Sequence, residues 1–228
     1  MVNSINPGED HLDVVDLEVV NNGPLLLKRR ELTLISERVF QHYGVANGAW
    51  AAARNNFLDV VVILKEDALT GLAELAESSS PLHPGGLGVE VSSDGRRIDA
   101  RHQHALVVGA IVGNAIESQL ADSHTVSLSV VHVASPRFLV GIVHRLARRG
   151  VQVRIVEGEN SATFLAQGAI HSAQPSSHGD LVEGITAAPS LWWPIYNAST
   201  RALSDVTEIS RFHTGNTPSP TARRLAIK

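Results

Sequence analysis

The chain has 228 residues, a net charge of −4, 43% hydrophobic and 18% charged residues, and no Cys. That is globular composition, long enough for a substantial core. It excludes disulfides and thiolate metal sites, and it offers no global basic field to attract nucleic acid.

Residues 1–11 read as a polar leader, without the apolar run of a secretory signal. Leu12–Val20, rich in β-branched residues, is predicted as a buried strand, ended by the turn residues Asn21-Asn22-Gly23-Pro24. Apolar residues at helical spacing (Leu32, Ile35, Val39, Phe40) predict a helix from Leu26 to about Tyr43, closed by Gly44. Asp59–Leu64 is predicted as a second buried strand, with Asp67 capping a helix over Ala68–Glu77. A loop (Ser78–Gly88), a short strand (Leu87–Val91) and a turn (Ser92–Gly95) follow. Asp99–Leu120 is predicted as a helix and Thr125–Val133 as a strand. Ser135 as N-cap and Pro136 at the first position open a helix that Gly150 ends. Val151–Val156 reads as the next strand, and Asn160 or Ser161 as the cap of a short helix to about Gly168.

Alternating strands and helices over residues 12–172 imply an α/β domain of three layers, a mainly parallel sheet with helices on both faces. Residues 173–228 form a C-terminal extension, whose Trp192-Trp193-Pro194-Ile195-Tyr196 must bury against its own domain or a second copy. The longest apolar stretch, Ala105–Ile116, is too short to span a bilayer, so no membrane is expected, and the lack of Cys fits a cytoplasmic location.

Ligands of an open parallel sheet sit beyond the carboxyl ends of its strands. That rule selects Asp16, Glu18, Asn21 and Asn22 after the first strand, Lys65, Glu66 and Asp67 after the second, His132, Ser135 and Arg137 after the fourth, and Glu157, Glu159 and Asn160 after the fifth. Ser135 and Arg137, at a helix start, suit an anion. The carboxylates suit a hard divalent cation. The sequence holds no GxSxG, Walker loop, GxGxxG or HEXXH, and its eleven His are scattered.

The stretch VVHVASPRFLVGIVHRLARRGVQVRIVEGENSATFLAQGA resembles the second half of NYN/PIN-like ribonuclease domains. The start is similar too, in Asp16-Leu17-Glu18-Val19 with Asn21, as is Asp99 in Arg96-Arg97-Ile98-Asp99. The resemblance implies Asp16, Asp99 and Glu18 as catalytic acids. It further implies that Asp16 and Asp99 hold Mg²⁺ or Mn²⁺, which activates water against the RNA phosphodiester. Where those domains carry acids after the fourth strand, this chain has Ser135 and Arg137, the pattern of a degenerate site. Three readings are open: a degenerate metal-dependent ribonuclease hydrolase; a small-molecule enzyme or binder holding an anionic ligand with Asn21, His132, Ser135 and Arg137; and a non-catalytic assembly protein, a homo-oligomer through residues 189–205.

Overall fold

The computed structural model describes residues 23–46, 48–78, 88–171, 181 and 183–204. The leader, the strand expected over Leu12–Val20, and Asp16, Glu18 and Asn21 lie outside the described residues.

In chain order the elements are β1 (Leu25–Leu27), α1 (Arg29–His42), α2 (Trp50–Leu64), α3 (Asp67–Glu77), β2 (Glu90–Val91), β3 (Arg97–Asp99) and α4 (Ala105–Asp122). Then come β4 (Thr125–Val131), a 3₁₀ turn (Pro136–Leu139), α5 (Val140–Ala147), β5 (Gln152–Glu157), β6 (Ser161–Gln167), β7 (Ile185–Ala187) and α6 (Pro189–Ser204). The helix expected from Leu26 starts at Arg29, because Leu25–Leu27 pairs antiparallel with β7. Its expected apolar stripe, Leu32, Ile35, Val39 and Phe40, is buried.

Two elements differ in type from expectation. Asp59–Leu64 is the last part of helix α2, not a strand. α2 packs against α1, α3, α4 and α5, and Phe57, Leu58, Val60 and Val61 are all buried. A helix enclosed on most sides loses its polar face, and a short β-branched run then reads the same as a buried strand. Ser161–Gln167 is strand β6, not a capped helix. Ala162, Phe164 and Ala166 point inward while Leu165 and Gln167 point out, the period of two that a strand requires. The long helix expected from Asp99 begins later, at Ala105, since Arg97–Asp99 joins the sheet as β3.

The main sheet has the order β2-β3-β4-β6-β5. Only β3–β4 is parallel; β2–β3, β4–β6 and β6–β5 are antiparallel. The sheet is therefore mixed rather than mainly parallel, because β6 returns as a hairpin from β5 and inserts beside β4. One face carries Ile98, Val126, Leu128, Val130 and Phe164 into the core, where α4 and α5 pack. The opposite face carries Thr125, Ser127 and Arg154 to solvent, with Leu165 and Val156 exposed. Among the described residues helices thus cover one face of this sheet, not both, as one-sided burial of antiparallel strands allows.

Behind α4 and α5 lies α2. Gly141 of α5 lets the two backbones approach, since a Cβ there would stand 2.7 Å from Val60 Cγ2 and 2.9 Å from the Asn56 carbonyl. Asp59 and His144 clasp the same contact, 2.8 Å apart. α6 packs on α1 and α3. Trp192 and Ile195 are buried in the common core, whereas Trp193 and Tyr196 are exposed and meet edge to face. Among the described residues no helix is long and apolar enough to cross a membrane.

Candidate acid–base site at the sheet edge

The parallel pairing of β3 with β4 sets Asp99 beside Val131, so the chain leaves both strands at the same edge. Two loops follow, residues 100–104 and 132–135. Backbone bonds zip them together: Ala100 N–H to Val131 C=O (2.9 Å), His102 N–H to His132 C=O (2.5 Å) and Ala134 N–H to Gln103 C=O (3.0 Å). Five described non-glycine residues have positive φ, and four of them are here: Arg101, His102, His132 and Ser135. The left-handed region is disfavoured for a side chain that carries a Cβ, and such outliers concentrate at working sites.

His132 Nδ1 lies 2.9 Å from Asp99 Oδ2. The other carboxylate oxygen, Oδ1, accepts the Arg101 backbone N–H at 2.9 Å. That N–H and the His132 hydrogen bond, with the nearby charges of His132 and Arg97, hold the Asp99 carboxyl below its ordinary range. An ionised carboxylate can only accept, so His132 Nδ1 carries the proton of this bond and Nε2 is the nitrogen that can exchange one. Half of the His132 side chain is exposed. The exposed His102 ring stands 5.4 Å from it, centre to centre, tilted by 32°.

A second group lies alongside. Glu74 of α3 accepts three hydrogen bonds: from Ser135 Oγ (2.5 Å) and His104 Nε2 (3.0 Å) on Oε2, and from Arg137 Nη2 (3.1 Å) on Oε1. His104 Nδ1 accepts the Leu106 N–H that opens α4, so the ring proton is placed on Nε2. The His104 bond, then that from Ser135 and the charge of Arg137, lower the Glu74 carboxyl to about 2 against the opposing effect of burial. Arg137 also donates to Thr70 Oγ1 at 2.8 Å and rests over the Phe138 ring. A carboxylate held this firmly is a poor proton acceptor. Its role is to fasten α3 to the turn that carries Ser135.

The structure therefore joins Asp99 to His132, and Ser135 to Arg137 through Glu74. Two of the four residues expected to bind an external anion, Ser135 and Arg137, already hold an internal carboxylate. Asp16, Glu18 and Asn21 lie outside the described residues. Lys65, Glu66 and Asp67 follow a helix rather than a strand, and Glu66 Oε1 instead accepts the Ala188 N–H at 2.7 Å. Among the described residues no group of three or more His, Cys, Asp or Glu is placed to hold a metal ion. Asp99, the one described member of the expected metal set, has both oxygens engaged. Sequence reading passed over Glu74, since nothing local links it to Ser135, which lies 61 positions on.

Two hollows lie at the opposite end of β4. One, of about 1030 Å³, is lined by Arg96, Gln152, Arg154 and Gln167 among others. The other, of about 680 Å³, is lined in part by Asn114, Glu117 and Arg149. In the second, Glu117 pairs with Arg149, and also with Arg145 beside the hollow. Comparison of the chain with protein-family models, with curated proteins and with solved structures finds no match in any of the three.

Proposed function

We propose that the chain is a small-molecule enzyme that takes an anionic ligand at this edge, with His132 as the proton-transferring group and Asp99 as the residue that orients it. The Asp99–His132 hydrogen bond carries this reading. A carboxylate on Nδ1 fixes the ring and its tautomer, and it turns Nε2 outward to take or give a proton. Positive charge to attract an anion is available from Arg97, while Arg101 forms an exposed pair with Glu90. The metal-dependent ribonuclease reading draws on Asp16 and Glu18, which lie outside the described residues. The acid–base reading needs only residues that the structure describes.

The test is thermal unfolding in the presence of inorganic phosphate, citrate and acetate. A ligand that binds only the folded state stabilises by about 2.7 kcal/mol at a hundred times its Kd. For a chain of this size that raises Tm by about 5–10 °C. The wild type should respond to at least one anion, and Asp99→Asn and His132→Asn should lose most of the response. A wild type indifferent to all three, or a His132→Asn variant that responds equally, would overturn the proposal.

A further inference from the structure

Resting on that reading, we infer that His102 is a second catalytic residue, and that the His102–His132 pair cleaves a phosphate ester without a metal ion. The two imidazoles come from different strands' loops, yet they are exposed together with ring centres 5.4 Å apart. The His102 N–H to His132 C=O bond locks their backbones to each other, and both residues sit at positive φ. The pair is asymmetric. Asp99 holds one ring, while among the described residues the only side-chain partner of the other is the His132 ring.

Two separate imidazoles suit displacement at phosphorus better than at an acyl carbon. In acyl transfer one imidazole receives the nucleophile's proton and returns it to the leaving group. In displacement at phosphorus the entering and leaving oxygens lie roughly in line on opposite sides, so one ring cannot serve both. His132, supported by Asp99, is the base. It takes a proton from a water molecule whose oxygen forms the new bond to phosphorus. The bond from phosphorus to the leaving oxygen breaks, and its electron pair goes to that oxygen. His102, protonated on entry, donates the proton that the leaving alcohol or phenol carries away. Exchange with solvent then returns both rings to their starting states. Arg97, whose charge acts on Asp99, is the cation placed to face the negative charge of the phosphoryl oxygens, while the Arg101 guanidinium is held by Glu90.

The experiment measures release of phenol from diphenyl phosphate, whose leaving group needs a proton, by the whole chain in excess EDTA, across about pH 5–9, where imidazoles titrate. The wild type should turn over with a bell-shaped pH profile. His132→Asn and His102→Asn should each lower the rate by about 100-fold or more and each remove one limb of the bell. Circular dichroism establishes that both variants are folded. No turnover in EDTA, or loss with His132→Asn but not with His102→Asn, overturns the inference. In either case a thermal response to phosphate that His132→Asn removes would leave the anion-site reading standing. Its absence would remove both.

Discussion

Replacing Glu74 with Gln tests whether the carboxylate fastens α3 to the edge loops. The change keeps size and shape but removes the charge that three donors converge on, from His104, Ser135 and Arg137. The Glu74 carboxyl sits at about 2 against an ordinary 4.5. In a fully buried site that difference would correspond to about 3 kcal/mol. The side chain is 40% exposed, so solvent screening reduces the expected loss to about 1–2 kcal/mol. Because the folded-state value is depressed, this stability is fully present above pH 4.5 and is lost as pH falls toward about 2. Urea unfolding of wild type and Glu74→Gln at pH 7, and then in steps down to about pH 3, reads both quantities. The variant should be less stable at pH 7, and the gap should narrow across the acid steps. Equal stability at pH 7, or a gap that stays constant down to pH 3, would refute the role given to the charge.

Two further changes address the frame around the site. Lys65, at the end of α2, has φ 54° and ψ −125°, a region suited to Gly. Lys65→Gly should therefore stabilise the chain by about 1 kcal/mol, seen as a higher Tm; an unchanged or lower Tm would show that this backbone stores no strain. Gly141→Ala would drive a methyl into Val60 and the Asn56 carbonyl, and it should lower stability by about 1–3 kcal/mol. A urea midpoint equal to wild type would mean that α2 and α5 do not meet as closely as described.

Much of the fold was legible where a segment separates water from core. α1 shows it, with Leu32, Ile35, Val39 and Phe40 on one stripe. The turn after β2 shows it differently, through local chemistry: Asp94 Oδ1 accepts from Ser92 Oγ at 2.6 Å and from the Arg96 N–H at 3.0 Å. Gly150 ends its helical stretch at φ 80°, where a left-handed residue was expected. Legibility failed where that contrast is missing. α2 is surrounded by other helices, so its apolar run carries no phase. In β6, exposed Leu165 breaks the alternation, and Ser161 imitates a helix cap.

The candidate site divides in the same way. His132, Ser135 and Arg137 were selected because ligands gather where strands end, a rule that needs only an approximate strand boundary; Asp99 came from the family resemblance alone, on a segment expected to be helical. How they pair depends on which strands are neighbours and which helix crosses behind them. The sequence by itself determined a globular α/β chain with a large core, and some of the residues that stand at this edge. Tertiary structure alone decided that the sheet is mixed, that Asp99 serves His132, and that Glu74 takes up Ser135 and Arg137. Hydrophobic period and capping act within a few residues, whereas those contacts join positions 33 to 63 apart, which only the packed chain brings together.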